Sequence, residues 1–312
     1  MARIGEGKCA LVVGGSRGMG RQIAIDLALK GGYAVAVASK TRSPPGAPLD
    51  SVNPNSPAST VDTVAHEIIT AGGRATPFAV DVRDTDAVAG LVAQTIAAYG
   101  RLDVLVYNSG AIWWASVKDT PVKRFELMQR VNPNGLYAAV HAALPHLPRD
   151  SGRIIVVSPP IYSRFTRGKT AYAIGKIGMS VLTLGLAEDF KREGAGRAVT
   201  SIWPAVAIES AATRHTNAVP TALRKATIFS DAVLAILAAP ATVTNGLLTT
   251  DEDFLRDHAG VHDFSKYALV PGATPRRIMP VAFPDLRVME QDDEGDRMDS
   301  TKMEQVRVQA KL

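Results

Sequence analysis

The chain has 312 residues, 46% hydrophobic and 21% charged, which suits one large domain or two small ones with a sizeable core. Its formal charge of +5 is scattered, with no basic stripe carrying interleaved aromatics, so no nucleic-acid surface is expected and a phosphate-bearing ligand would be welcome. No run of 18 apolar residues predicts a membrane span, and a single cysteine, Cys9, excludes an intramolecular disulfide and reads as a core thiol in a reducing compartment.

In chain order, strand-like apolar runs lie at 10–13, 34–38, 76–80, 104–107, 154–157 and 199–203, with a weaker one at 246–250. The first leads straight into glycines, so the N-terminus lacks the shape of a secretory signal. Most of these runs are continuous, as buried parallel strands are. Amphipathic stretches at 21–30, 61–71, 85–99 and 172–191 lie between them. The alternation predicts an α/β fold: a doubly wound parallel sheet of the Rossmann type, three layers deep, in one domain over 1–283. A Pro- and Ser-rich loop, 39–60, is inserted after the second strand; a functional loop and a solvated insertion are both open readings. Residues 205–228 are expected to cover the substrate, and the polar tail, 284–312, to be frayed.

The first strand ends in VVGGSRGMG, placing Gly14, Gly18 and Gly20 between a strand and a helix. Glycines there let a pyrophosphate reach the backbone amides and the helix N-terminus, so Gly14, Ser16, Arg17, Gly18, Met19 and Gly20 are candidate dinucleotide contacts. The second strand ends in Ser39-Lys40, with no acid to grip a ribose 2′-hydroxyl. Arg17 and Lys40 would suit a 2′-phosphate, so NADP(H) is the expected cofactor; Lys40 can also be read as a solvated surface lysine. Asp81 and Val82 end the third strand; Asp81 would accept from an adenine amino group or cap the next helix. Asn108, Ser109 and Gly110 form a turn after the fourth strand, against which a cofactor would lie. Trp113 and Trp114 follow it, as pocket lining or as core.

Tyr172 and Lys176, at i and i+4 on one helix face, form a candidate acid–base pair. A free phenol titrates near 10, and a neighbouring ammonium favours the phenolate.

Together, GGSRGMG, Asp81-Val82, YNSG at 107–110, VNPNG at 131–135 and YAIGK at 172–176 resemble the short-chain dehydrogenase/reductase family over roughly residues 7–250. The resemblance implies a nicotinamide oxidoreductase, working as a dimer or tetramer on a small molecule. It implies Tyr172 as general acid/base, Lys176 as its tuner, and Asn132 as holder of a water in a proton relay. Pro204 and Ile208 would lie near the nicotinamide; the glycine that usually follows the proline is Ala205 here. The family's catalytic serine lies 13 residues before the tyrosine, a place held by Pro159. Ser158 is one short, so the carbonyl-polarising hydroxyl is missing or displaced.

The SPP turn, with AxKT after the second strand and DTPxKR at 119–124, resembles one subgroup of the family. In that subgroup a sterol-carrier-like domain follows, for which this chain has no room, and the resemblance implies a peroxisomal enzyme. The last residues, Ala310-Lys311-Leu312, are a conservative variant of the peroxisomal Ser-Lys-Leu address and imply an import receptor as partner, with a cytoplasmic enzyme as the alternative.

On the substrate side Glu209, Arg214, His215 and Arg224 stand in the covering segment, where either arginine would meet an acidic substrate such as a CoA ester or remain a solvated charge. His215 has no second ligand at metal spacing, so no metal is expected. Three functions are compatible: carbonyl/alcohol hydride transfer, enoyl- or dienoyl-type reduction, and a non-catalytic NADP-binding module.

Overall fold

Seven strands form the sheet: β1 (Cys9–Val13), β2 (Ala34–Ser39), β3 (Arg74–Ala79), β4 (Val104–Tyr107), β5 (Arg153–Val157), β6 (Ala198–Trp203) and β7 (Leu248–Thr250). They come from a computed structural model that describes residues 3–50, 52–214, 218–284 and 300. All pairs are parallel, in the order β3-β2-β1-β4-β5-β6-β7. Central strands β1 and β4 are buried throughout, which is why they read as unbroken apolar runs. Edge strand β3 carries Pro77, whose missing N–H is tolerated where no further strand follows.

Helices α1 (Gly18–Leu29), α2 (Val61–Thr70), α3 (Thr85–Tyr99), α4 (Val122–Gln129), α5 (Gly135–Ala143), α6 (Thr170–Arg192), α7 (Ala211–Arg214), α8 (Thr227–Ala238), α9 (Ala241–Thr244) and α10 (Asp251–Ala259) complete the framework. Side chains alternate across the sheet. Val12, Val35, Val106 and Ile155 face a core shared with α1, α2, α8 and α10, whereas Leu11, Ala36, Leu105 and Ile154 face α3, α5 and α6. The result is one doubly wound, three-layer domain, as the alternation predicts.

The strand positions agree with the sequence reading to within about two residues, the usual latitude of element ends. Cys9 is buried, and burial pushes its thiol up to about 12, consistent with an inert core residue. Helix α6 is long and apolar enough to cross a membrane by length and composition, but half of that stretch is buried within the fold. The insertion after β2 contains no helix or strand among its described residues between 40 and 60 and docks on the glycine loop. Ser59 Oγ donates to the Ser16 carbonyl at 2.6 Å, and Gly18 N–H to the Pro54 carbonyl at 3.4 Å. The tripeptide 310–312, His215 and the side chain of Arg214 lie outside the described residues.

Candidate active site

Strand order reverses direction between β1 and β4, so the loops leaving their carboxyl ends diverge and open a crevice. A cleft of about 310 Å³ occupies it. Gly14, Ser16, Arg17, Gly18 and Met19 line it from the glycine loop, Asn108, Ser109 and Gly110 from the turn after β4, and Tyr172 and Lys176 from α6. Ile112, Trp203 and Ser210 line it too, and the sequence reading did not single them out. Trp203 ends β6, and a position at the carboxyl end of a parallel strand is the signal that would have found it.

The glycines are needed for close approach. Gly14 has φ +87°, and a Cβ there would stand 2.6 Å from the Ser109 nitrogen. A Cβ on Gly20 would stand 2.1 Å from the Gly14 carbonyl oxygen and 2.4 Å from Asn108 Nδ2. Asn108 Nδ2 donates to that carbonyl at 2.9 Å, while its Oδ1 is buried without a hydrogen-bond partner. A bare glycine cradle at the start of α1 with an orphaned acceptor beside it fits a nicotinamide dinucleotide.

At the far end, Ser16 and Ser39 share a hydroxyl hydrogen bond of 2.9 Å, and Arg17 donates to Thr41 at 3.3 Å. Lys40, largely exposed, is ion-paired with Asp81 at 3.0 Å, and Arg83 bonds the same carboxylate. Arg83 first, and then Lys40, hold the Asp81 carboxyl well below the usual range. The cap of α3 is Asp84, whose side chain accepts from the backbone of Asp86 and Ala87, so Asp81 is left for other work. Val82 is buried in the core beneath.

Tyr172 and Lys176 are 2% and 3% exposed. Trp114 and Phe165 pack against the Tyr172 ring at centroid distances of 6.1 and 6.2 Å. Lys176 Nζ donates to the Val157 carbonyl at 2.7 Å and lies 5.4 Å over the Trp203 ring. Burial pushes the Tyr172 phenol upward and the Lys176 ammonium down to about 7, so desolvation dominates both groups. Asn132 sits in a π-helical turn, Arg130–Asn134, where Pro133 supplies no N–H and the helix widens. Its carboxamide grips Ala111 twice: Oδ1 accepts from the Ala111 N–H at 2.8 Å and Nδ2 donates to the Ala111 carbonyl at 3.1 Å.

Ser158 is fully buried. Its Oγ lies 2.6 Å from Ser201 Oγ on β6 and accepts from Ser180 Oγ on α6 at 3.0 Å. It belongs to a knot of three hydroxyls in the core and is not among the residues lining the cleft. Pro204 and Ile208 are buried next to the cleft without lining it. Arg224 is 7% exposed, with its NH1 3.3 Å from the Glu252 carboxylate, so it is not free to meet a substrate anion as the sequence allowed. Glu209 is partly exposed, and its N–H donates to the Arg224 carbonyl at 2.9 Å.

The family model for short chain dehydrogenases matches residues 8–218, which carry this entire cleft. The chain belongs to the short-chain dehydrogenase family. Members of this family are nicotinamide-dependent oxidoreductases. Hydroxysteroid dehydrogenase-like protein 2 of Homo sapiens is 36% identical over 271 residues, covering 85% of this chain and 61% of its own length. The Mus musculus protein of that name is 34% identical over 97% of this chain and 60% of its own length. The chain thus spans about three-fifths of the length of these short-chain dehydrogenase relatives. Among solved structures, a dehydrogenase from Xanthomonas campestris superposes with a TM-score of 0.77 at 34% identity, over 93% of this chain and 100% of its own. A short chain dehydrogenase from Mycobacterium thermoresistibile gives a TM-score of 0.77 at 34% identity, over 90% of this chain and 98% of its own.

Proposed function

We propose that this chain is an NADP(H)-dependent oxidoreductase that exchanges a hydride between the nicotinamide and a carbonyl or alcohol on a lipid-like substrate. The observation that carries this reading is the convergence of Tyr172, Lys176 and the glycine loop on one cleft at the switch point of the sheet. A bound nicotinamide coenzyme would supply or take the hydride. As the carbonyl carbon gains hydride, the Tyr172 hydroxyl gives its proton to the carbonyl oxygen; in the reverse direction it takes the proton back. Burial lowers the Lys176 ammonium to about 7, and its protonated form favours proton release from the phenol. Asn132 holds Ala111 at the cleft wall from both ends of its amide.

Preference for NADP(H) rests on the absence of an acid at the end of β2 and on Arg17 and Lys40 beside it. The apolar substrate follows from the aromatic wall of Trp113, Trp114, Phe165 and Trp203 around Tyr172. Tyr137 on α5 and Ile174 and Val181 on α6 are exposed apolar side chains suited to contact with a second subunit. The relationship to hydroxysteroid dehydrogenase-like protein 2 and the terminal Ala310-Lys311-Leu312 support import into the peroxisome.

A second reading, reduction of an enoyl or dienoyl group, gains from the burial of Ser158, since no serine hydroxyl from that position reaches the cleft to polarise a carbonyl. The test is NADPH oxidation with ketone and enoyl panels, using wild type and Tyr172→Phe. Wild-type turnover of ketones that falls at least a hundredfold in the variant, with NADPH affinity unchanged, supports the first reading. Turnover of enoyl substrates alone moves the assignment to the second. NADPH binding without turnover of either panel leaves a non-catalytic binding module.

A further inference from the structure

Near Tyr172 stands a cation with no evident duty in proton transfer. Lys169 caps the N-terminus of α6, three residues before Tyr172, and is about half-buried. Its Nζ lies 4.2 Å over the Phe165 ring and 5.7 Å from the Trp114 centroid. Both of those rings pack against Tyr172. A cation at a helix N-terminus opposes the helix dipole, and no acidic residue in the first turn of α6 offsets it. Burial pushes its ammonium below the ordinary lysine range.

Among the other buried or half-buried cations, Lys176 and Arg153 donate to backbone carbonyls, while several have carboxylate partners: Arg21 with Glu67, Arg224 with Glu252, Arg277 with Asp253. Lys169 has none among the described residues, nor do Arg164 and Arg167 on the turn just before it. The rings hold the ammonium by cation–π attraction, which orients it while leaving its three N–H groups unspent. Trp114 is 50% exposed, so the aromatic surface under the ammonium continues outward.

We propose that Lys169 is the anion-recognition point of the substrate cleft, and that the substrate is an amphiphilic anion. Its apolar body lies along the exposed ring of Trp114, behind which Phe165 is buried, and its negative group meets the Lys169 ammonium, with Arg164 and Arg167 adding positive potential nearby. The inference rests on the reading of this cleft as the substrate site and names the class of molecule that enters it. A fatty carboxylate and the phosphates of an acyl-CoA share the required chemistry, an anion joined to an aliphatic chain.

The test is calorimetric binding of decanoate, decanoyl-CoA and decan-1-ol to the full chain without added coenzyme, in wild type, Lys169→Met and Lys169→Arg. At least one anion should bind wild type about tenfold or more tightly than decanol and lose about tenfold in Lys169→Met, as a partly desolvated charge-assisted contact predicts. Decanol affinity should change less than about twofold, and Lys169→Arg should keep the preference. Decanoate or decanoyl-CoA as the affected ligand identifies carboxylate or phosphate as the recognised group. Equal loss for decanol, or no loss for either anion, overturns the proposal. Wild type alone gives a second check if Lys169→Met does not fold: affinity for the anion must fall between low and high salt while that for decanol does not. Binding is read without turnover, so failure of hydride transfer and failure of anion recognition remain distinguishable.

Discussion

The Lys40 ammonium stands 3.0 Å from the Asp81 carboxylate, tying the residue after β2 to the turn after β3. Because Arg83 bonds the same carboxylate, Asp81 stays paired if Lys40 swings toward a 2′-phosphate. Lys40→Ala should therefore weaken NADPH about tenfold, roughly the effect of one exposed phosphate contact, and alter NADH little. Fluorescence titration with both coenzymes checks this. Equal weakening of both would remove Lys40 from phosphate recognition.

Ser158 spends its hydroxyl on Ser180 and Ser201. Ser158→Ala should leave kcat within about threefold of wild type while lowering stability by about 1–3 kcal/mol, the cost of leaving buried hydroxyls underpaired. Steady-state kinetics beside urea denaturation separates the two effects. A hundredfold fall in kcat at unchanged stability would put the hydroxyl back in the reaction.

Asp251, at the start of α10, accepts from the Ala205 N–H at 2.8 Å, and its other oxygen is buried without a partner. Burial pushes its carboxyl up to about 7 from 3.8, against the pull of the two backbone donors and Arg224. A carboxyl raised on folding favours the native state when protonated, so its contribution is full below about pH 4 and is lost as pH rises to about 7. The loss is on the order of a few kcal/mol at about 1.4 kcal/mol per unit. Asp251→Asn keeps an acceptor for Ala205 and should flatten that slope, leaving the variant more stable than wild type at pH 8. Denaturation midpoints at pH 5 and pH 8 decide it.

Lys176 predicts the opposite slope in a higher window. Its folded value of about 7 lies below 10.5, so its contribution to stability is full above about 10.5 and falls away as pH drops toward 7. Lys176→Met should remove this loss, flattening the stability profile between pH 7 and 10, and should abolish turnover. Denaturation across that range with an activity assay would expose a wild-type profile already flat, which contradicts the burial argument.

Gly20→Ala should be the most damaging small change in the glycine loop, because its methyl would collide with the Gly14 carbonyl and with Asn108. A loss of about 1–3 kcal/mol, with weakened binding of either coenzyme, is the expected result of overpacking backbone against backbone. Calorimetric melting with and without NADPH measures both.

Much of this was legible in the chain because the fold is written in burial. β1 and β4 are buried on both faces and therefore read as unbroken apolar runs, and the glycines of the first loop announce a close backbone approach. Helix α4 was not legible: among its residues only Met128 is buried, so VKRFELMQ shows no apolar stripe. The direction of the Ser158 hydroxyl was hidden for another reason. It is decided by Ser180 and Ser201, which lie 22 and 43 residues away in sequence and meet it only through packing. Arg224 leaves its expected role for the same reason, since the acid that occupies it, Glu252, comes from α10.

The contact between Ser59 and the Ser16 carbonyl has a practical use. Exposed Ala58 sits directly beside it, and the native thiol, Cys9, is sealed in the interior. Ala58→Cys would give one reactive handle for an environment-sensitive dye, turning the inserted segment into an optical gauge of coenzyme arrival that needs no knowledge of the substrate.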